Sequence, residues 1–305
     1  MDVLQLILSF EDLYFFMHHD MKPRVCSVDE FPEQFQHIPK APKELSVIGE
    51  LPSPDYKYVT IVGSRKHSDY AGQTCERLIA EMAGFPIIIV SGLAYGIDAC
   101  AHRAALKHNI TTMVFPGSGL NPDVLYPAGH RQLANQIVAA GGCLVSEFKN
   151  NQKALPWTFP VRNRLMAGIA DVVIVIEARE KSGSLITARE AADYGRTVMV
   201  VPGPIYDERC AGSNQLLFDG AIPILNGNTI LHELGFSVDA TQGVLPLRTY
   251  TPDEQEIIDC LYEPKTRGEL LEKLEINMSL LNQKLTELEI KGYIVETSGT
   301  IRVKS

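Results

Sequence analysis

The sequence has few of the features that mark a secreted, membrane-spanning or metal-binding protein. Only six of its 305 residues are cysteine, they lie far apart, and none forms a CxxC pair. This spacing disfavours a zinc site or a disulfide framework and is typical of reduced thiols in a cytoplasmic protein. No uninterrupted apolar run approaches the roughly 20 residues that span a bilayer. The apolar N-terminal stretch contains Glu11 and Asp12 and lacks a basic start, so we expect neither a signal peptide nor a membrane segment.

Two common nucleotide-binding fingerprints are also missing. No GxGxxG with a downstream acidic residue follows the first predicted strand, and no GxxxxGK[ST] occurs in the chain. The first motif positions a dinucleotide pyrophosphate, and the second cradles nucleotide phosphates. We therefore expect no dinucleotide, Walker-type nucleotide or metal cofactor.

The net charge of -9 at first argues against nucleic acid as a partner, because phosphate binding favours a basic surface. The excess acid is confined to the two ends of the chain. Residues 1–50 carry nine Asp/Glu against four Lys/Arg, and residues 251–305 carry eleven against seven. The stretch between them is neutral overall and can still hold a concentrated basic groove.

The central part of the chain alternates short apolar runs with amphipathic or Ala-rich stretches. Almost wholly apolar runs are typical of parallel strands covered on both faces. The predicted strands are Val59–Val62, Ile87–Val90, Thr111–Phe115, Cys143–Val145, Val172–Ile176 and Thr197–Val201. The alternation predicts an α/β fold with an extended Rossmann-like, doubly wound, mostly parallel sheet. Right-handed crossovers then place the loops after the strands along one ligand-binding edge.

Four regions are predicted along the chain. Residues 1–50 are too few for more than a short N-terminal helical extension, and residues 51–235 form the Rossmann-like domain. Residues 236–250 have the composition of a linker. Residues 251–305 predict three helices followed by a hairpin, which is a small winged-helix-like domain. Its third helix carries Lys284 and Lys291 beside Glu287 and Glu289, which favours a protein-contact module over a DNA reader.

Glycine-rich and polar turns follow the predicted strands. Glycine permits close approach of a ligand, serine adds a hydroxyl donor, and arginine supplies a planar fork suited to phosphate. The candidate DNA-binding residues are Gly63, Ser64, Arg65, Ser91, Gly92, Gly117, Gly119, Phe159, Arg162, Asn163, Arg164, Lys181, Ser182, Gly183 and Ser184. Each turn taken alone is also compatible with an ordinary strand-to-helix connection.

The stretch from Pro156 to Arg164 is the most informative of these. It places Arg162 and Arg164 close to Trp157 and Phe159. Cationic forks beside aromatic faces are what single-stranded nucleic acid requires. The alternative is a loop anchored by buried aromatics, with its arginines in salt bridges.

Asp98 and His102 stand one helical turn apart, the spacing of a catalytic couple. The sequence shows no activated nucleophile beside them. A first-turn acid that stabilises its helix and a hydrogen-bonded packing histidine are the favoured interpretation.

Nine motifs in fixed order resemble the DNA-processing protein family DprA, also called Smf. The resemblance covers about half of the chain. The matching residues are Gly63-Ser64-Arg65, Ser91-Gly92-x-Ala94-x-Gly96-Ile97-Asp98, Gly117-x-Gly119-Leu120 with Tyr126-Pro127, Ser146-Glu147, Phe159-Pro160-x-Arg162-Asn163-Arg164, Glu177-Ala178, Ser182-Gly183-Ser184-Leu185, Pro202-Gly203 and Gly212-x-Asn214.

The resemblance implies a non-enzymatic protein that binds single-stranded DNA, usually as a homodimer. It also implies protection of incoming DNA and loading of the RecA recombinase during natural transformation. Carried over by motif, Arg65, Arg162, Arg164 and the Ser182–Ser184 turn line a phosphate pocket, with Phe159 or Trp157 near a base. Replacing Arg65 or Arg162 by alanine is then expected to weaken binding without unfolding the protein.

Two other functional classes stay open. Related folds include nucleotide phosphoribohydrolases of the lysine-decarboxylase-like type, which usually carry a Pro-Gly-Gly-x-Gly-Thr-x-x-Glu loop. The nearest candidates here, Pro116-Gly117-Ser118-Gly119 and Pro202-Gly203-Pro204, lack the threonine and the glutamate. A scaffold that contacts only partner proteins is the third class, and a complete lack of affinity for oligonucleotides would distinguish it.

Overall fold

The computed structural model describes residues 22–237, 252–261, 264–274, 276–291, 293–297 and 299–303. The chain divides into two compact units, Met1–Gly243 and Val244–Ser305. None of the helices in the described ranges has the length and apolar character needed to cross a bilayer.

The first unit is built on a nine-stranded sheet with the order β1-β2-β6-β5-β4-β3-β7-β8-β9. Neighbours from β3 to β9 are parallel, whereas β1 and β2 add an antiparallel edge next to β6. The strands are β1 (Arg24–Ser27), β2 (Glu44–Gly49), β3 (Lys57–Val62), β4 (Ile87–Ser91), β5 (Thr112–Val114), β6 (Cys143–Ser146), β7 (Val172–Val175), β8 (Thr197–Val200) and β9 (Ile222–Pro223). The predicted α/β, doubly wound, mostly parallel sheet is confirmed.

Helices connect the parallel strands. They are α1 (Glu33–Gln36), α2 (Asp69–Glu81), α3 (Ile97–Lys107), α4 (Arg131–Ala139), α5 (Thr158–Ile169), α6 (Gly183–Asp193), α7 (Ala211–Phe218) and α8 (Gly227–Glu233), with short 3₁₀ turns at Val28–Glu30 and Ala128–His130. Ser68 and Ser182 cap α2 and α6 by accepting a hydrogen bond from a first-turn backbone N–H.

Apolar side chains cover both faces of the sheet. In β3, Tyr58 and Val62 pack on the face that holds α5 and α6, whereas Val59 and Ile61 pack on the face that holds α2 and α3. Successive strand residues point to opposite faces, so burial of both faces requires a continuous apolar run. This is why the central strands were visible in the sequence.

The strand order changes direction beside β3. From β3 the chain adds β4, β5 and β6 on one side, then returns to add β7, β8 and β9 on the other. At such a switch point the two crossover connections leave in opposite directions and a crevice opens beyond the carboxyl ends of the strands. In this unit the crevice is expected between the ends of β3 and β7.

The structure differs from the sequence analysis over the described part of residues 1–50. Besides the short helix α1 and a 3₁₀ turn, this part supplies β1 and β2, which were not predicted, and β2 pairs directly with β6. Leu45 and Val47 are buried in the core, so β2 has the alternation of a strand. The prolines between residues 39 and 54 obscured that signal, and the sheet begins at Arg24. Residues 1–21 lie outside the described residues.

The described residues of the second unit form three helices and a small antiparallel sheet in the order β10-β12-β11. Its elements are α9 (Pro252–Cys260), β10 (Lys265–Thr266), α10 (Arg267–Leu274), α11 (Met278–Ile290), β11 (Ile294–Thr297) and β12 (Thr300–Val303). The predicted capping box is present, since the Thr266 backbone N–H donates to Glu269 Oε2 at 2.7 Å. Assignment as a winged helix stays a prediction, and most of the predicted linker, from residue 238 to 250, lies outside the described residues.

Candidate functional site

A crevice of about 620 Å³ lies at the switch point, beyond the ends of β3 and β7. We call it the switch-point crevice. Its walls come from the turns that follow β3, β4 and β7 and from the first turns of α5 and α6. The lining residues are Val62, Gly63, Ser64, Arg65, Lys66, Ala94, Asp98, Phe159, Arg162, Asn163, Met166, Arg179, Lys181, Ser182, Gly183, Ser184 and Thr187.

Most of the predicted binding residues meet at this crevice. Gly92 lines a small adjoining cavity together with Arg65 and Phe159. Four of the predicted residues line neither space: Ser91, Gly117, Gly119 and Arg164. Sequence analysis missed Lys66 and Arg179, although Lys66 directly follows Arg65 and Arg179 stands just after the Glu177-Ala178 motif.

The cationic side chains of the crevice fall into two groups. Arg65, Lys66, Arg179 and Lys181 belong to exposed residues along its edge. Arg162 is different, because only 5% of the residue is exposed. The edge therefore offers charges to an anion from solvent, whereas Arg162 lies in the floor.

The Arg162 guanidinium ties the ends of two strands to α5. Nη1 donates to the backbone carbonyl of Gly92 after β4, at 2.7 Å, and also to the carbonyl of Phe115 after β5. Nε donates to Asn163 Oδ1 at 3.1 Å. Most of the donor capacity of Arg162 is thus committed within the protein, and the residue acts first as a clamp on the floor of the crevice.

Burial and neighbouring charges set the electrostatics of this floor. Burial lowers the pKa of Arg162 to about 10, the charge of Arg65 adds to that effect, and the carboxylate of Asp98 opposes it. Burial raises the pKa of Asp98, while Arg162 and two backbone N–H donors favour its charged form. The two groups therefore stabilise each other as a buried pair of opposite charges.

Arg164 points away from the crevice. α5 begins at Thr158, so most of the stretch from Pro156 to Arg164 is helix and not the loop of the alternative interpretation. Residues three or four apart share a helix face, whereas residues two apart diverge by about 200°. Phe159, Arg162 and Asn163 therefore face the crevice, and Arg164 forms an ion pair with Glu147. The salt-bridge alternative left open by the sequence applies to this arginine.

Two of the predicted glycines are required by close packing beneath the crevice. A Cβ at Gly92 would overlap the Arg162 guanidinium, and one at Gly117 would lie 2.6 Å from Phe159 Cδ1. In both cases the added Cβ atom would lie closer to the side chain than real Cβ atoms do. These glycines therefore make room for the side chains that shape the site.

Hydroxyl and amide groups line the α6 side of the crevice. Ser182 Oγ caps α6 by accepting from the Ser184 N–H at 3.3 Å, and Ser184 Oγ donates to the Gly63 carbonyl at 2.8 Å. The second bond joins the turn after β3 to the start of α6. The positive end of the α6 dipole and its first-turn N–H groups therefore face the space between these turns.

Aromatic rings border the crevice next to Arg65. The Arg65 Cζ lies 5.4 Å from the Phe159 ring centroid, within cation–π distance, and Tyr126 packs on Phe159 with its centroid 5.7 Å away. Trp157 packs on Phe148 instead, at 5.7 Å, and lines neither cavity. Of the two aromatics predicted near a base, Phe159 is thus the one at the crevice.

The acidic groups near the crevice have structural partners. Asp98 Oδ2 accepts from the Gly92 and Ala94 N–H groups at 3.2 and 3.3 Å. His102 is fully buried, and its Nδ1 lies 2.8 Å from Thr112 Oγ1. These contacts agree with a helix-stabilising acid and a packing histidine. Glu177, also buried, accepts from the Ser68 hydroxyl at 2.6 Å and so fixes the start of α2.

The fold and the site together define a class: a doubly wound α/β protein with a cation-edged, partly aromatic ligand crevice at its switch point. A family model described as DNA recombination-mediator protein A matches residues 24–235, which include every strand of the large sheet. The chain belongs to this family, whose members carry the names DprA and Smf.

Individual relatives agree with the family match. Protein Smf of Escherichia coli K12 is 35% identical over 278 residues, covering 88% of this chain and 74% of that protein. DNA processing protein DprA of Streptococcus pneumoniae R6 is 37% identical over 208 residues, covering 68% of this chain and 72% of that protein.

Solved structures show the same fold. The X-ray structure of DprA from Streptococcus pneumoniae has a TM-score of 0.65 at 36% identity and covers 72% of this chain and 76% of that chain. DNA processing protein A from Helicobacter pylori, whose single-stranded DNA binding mode has been described structurally, has a TM-score of 0.60 at 30% identity. That match covers 69% of this chain and 95% of that chain.

Proposed function

We propose that this chain binds single-stranded DNA in the switch-point crevice and acts as a recombination mediator. The observation that carries the proposal is the row of exposed cations along the crevice, Arg65, Lys66, Arg179 and Lys181, beside the half-buried ring of Phe159. Phosphates attract the cations, and a base can stack on an aromatic or guanidinium plane. The DNA binding described for the Helicobacter pylori relative supports the same assignment.

Each wall contributes a different part of the binding. The edge cations neutralise phosphates, and the N–H groups at the start of α6 add donors for phosphate oxygens. The Arg65 guanidinium, layered on Phe159, offers a flat cationic surface to a base. Arg162 contributes by holding the floor in shape rather than by direct contact with phosphate.

The mediator is proposed to perform no covalent chemistry. Asp98 lines the crevice, but it is buried and accepts from the Gly92 and Ala94 N–H groups, and Glu177 is buried and accepts from Ser68, so both carboxylates are used within the protein. Incubation with AMP tests the competing phosphoribohydrolase activity. No free adenine is expected, and its release would establish the enzyme instead.

The wider role proposed is that of a cytoplasmic homodimer that protects incoming DNA and loads RecA onto it during natural transformation. Membership of the DNA recombination-mediator protein A family supports this role. Two binding sites in one dimer would add avidity along a single strand. RecA filament formation on DNA covered by single-strand-binding protein is expected to accelerate when the protein is added, and an unchanged rate would refute the loading role.

Fluorescence anisotropy with labelled oligo-dT at two salt concentrations tests DNA binding. Arg65→Ala is expected to weaken binding and to reduce the slope of log K against log salt by about 1, because one phosphate contact is lost. The matched control is Arg189→Ala, which removes the same charge from an exposed position on α6 outside the crevice.

The two variants separate the crevice from general charge effects. Arg189→Ala is expected to keep the wild-type salt slope. Equal losses in both variants would indicate nonspecific attraction. Unchanged affinity in Arg65→Ala would remove the crevice from the proposal.

A further inference from the structure

Two further tyrosines stand next to the Arg65–Phe159 layer, outside the switch-point crevice itself. Tyr95 follows β4 and Tyr126 precedes Pro127, and both line the small adjoining cavity together with Arg65 and Phe159. Tyr95 is 50% exposed and Tyr126 43% exposed, although tyrosine buries well in a protein interior. We call Tyr95 and Tyr126 the aromatic rim.

The rim rings are held in place by neighbours rather than projecting freely. Tyr126 packs on Phe159 with ring planes inclined by 66°, and Tyr95 packs on His130 with its centroid 4.7 Å away. The cavity between them measures about 10 Å³. That is room for about one water, so a base cannot enter and must lie on the exposed ring surfaces.

The inclination between the rings has a consequence for the shape of a bound strand. A base parallel to the Phe159 ring and a base parallel to the Tyr126 ring lie on planes inclined by 66°, so the two bases cannot stack on each other. A single strand can turn its bases apart at a cost of a few kcal/mol or less, whereas a duplex would also have to break its pairs. The geometry therefore favours an unpaired strand that is unstacked at one step.

We propose that the aromatic rim is a second base-binding platform, which takes the base next to the one on the Arg65–Phe159 layer and unstacks the two. This inference rests on the proposed function, since it assumes that single-stranded DNA enters the crevice. It assigns Tyr126, with Tyr95 beside it, as a determinant of preference for single-stranded over double-stranded DNA.

Replacement of the rim tyrosines tests the platform. Tyr126→Ala and Tyr95→Ala are each expected to weaken oligo-dT binding about 5- to 20-fold, the lower part of the range for one stacked base. The affinity for a strand of abasic sugar-phosphate is expected to stay unchanged. Tyr126→Phe and Tyr95→Phe keep the ring and are expected to bind like wild type.

A matched control is available on the same unit. Tyr70 on α2 is 56% exposed and lines neither cavity, so Tyr70→Ala removes an exposed ring elsewhere and is expected to leave binding unchanged. Urea midpoints identical to wild type show that the tyrosine variants remain folded. If Tyr126→Ala is destabilised, the remaining variants still test the platform: Tyr95→Ala is expected to weaken oligo-dT binding and Tyr126→Phe to bind like wild type.

A stacking-sensitive probe measures the proposed unstacking directly. In an oligo-dT with two adjacent 2-aminopurines, stacking of these two bases on each other gives an exciton-coupled circular dichroism signal, so binding to the wild-type protein is expected to weaken that signal. Tyr126→Ala is expected to give a smaller decrease at saturation. The ratio of single-stranded to double-stranded affinity is expected to fall in the same variant.

Several results would overturn the inference while leaving the proposed function intact. These are wild-type affinity in both tyrosine-to-alanine variants when Arg65→Ala binds weakly, an equal loss on the abasic strand, or an unchanged exciton-coupled signal when wild-type protein is saturated. Failure of the wild-type protein to bind either strand would instead refute the proposed function, and the platform with it.

Discussion

Replacing Arg162 by alanine is expected to destabilise the first unit, whereas the sequence analysis expected a loss of binding alone. The guanidinium is buried, donates to the carbonyls of Gly92 and Phe115, and faces the buried carboxylate of Asp98. Alanine leaves both carbonyls without this donor and Asp98 without its opposing charge. The ends of β4 and β5 also lose their connection to α5.

The size of the effect follows from these contacts. Arg162 donates to two backbone carbonyls, and each hydrogen bond to a charged group contributes about 1.5–3 kcal/mol. The contributions overlap, so we expect a total loss of about 3–5 kcal/mol. For a domain of this size each kcal/mol shifts the melting temperature by about 2–4 °C, which predicts a decrease of roughly 6–20 °C.

Thermal and urea unfolding of wild type, Arg162→Ala and Arg65→Ala provide the measurement. Arg65 is exposed, so its variant is expected to melt close to wild type while binding DNA weakly. Combining Arg162→Met with Asp98→Asn is expected to cost less than the sum of the single changes, because both charges are then removed. If Arg162→Ala unfolds at the wild-type midpoint, the clamp interpretation is wrong.

Three further predictions concern other parts of the chain. Burial raises the pKa of Glu190 to about 7, so the stability linked to its neutral form is fully present below its ordinary value of 4.5 and is lost as pH rises through 7. Glu190→Gln is therefore expected to raise the free energy of unfolding, measured by urea denaturation, by about 1 kcal/mol near pH 8, after allowance for solvent screening, and to change it little near pH 4; an equal gain at both pH values would contradict this. Gly117→Ala is expected to displace Phe159 and cost about 1–3 kcal/mol, with weaker oligo-dT binding, and wild-type values of both would show that the ring can move freely. Thr266→Ala removes the capping box of α10 and is expected to speed hydrogen exchange there by an amount equivalent to about 1 kcal/mol, whereas unchanged exchange would show that the cap contributes nothing.

The central sheet was predictable because both of its faces are buried. Burial forces runs such as Val172–Val175 to be wholly apolar. β1 and β2 were missed for the opposite reason. β1 lies at the edge, where Val25 is 64% exposed, and β2 stands among prolines, so the apolar signal of each is weak.

The members of the site could be predicted better than their orientation. Sequence motifs placed Arg65, Lys181 and the serine turn at one edge of the sheet, because parallel strands bring their carboxyl ends together. They did not distinguish Arg162 from Arg164, because that distinction depends on α5 beginning at Thr158. Tertiary packing brings Tyr126 to the adjoining cavity and Arg179 to the crevice, and the sequence marks each residue only as part of a family motif or next to one.

The bond from Ser184 to Gly63 joins residues that are 121 positions apart in the chain. A ligand held between those two turns would bridge the crossover from β3 to β4 and the crossover from β7 to β8 at once. Such a ligand binds the folded arrangement of these strands and not the unfolded chain, so mass action would stabilise the first unit. Binding of such a ligand is then expected to raise the melting temperature of the first unit in a dose-dependent way, which can be measured without a label.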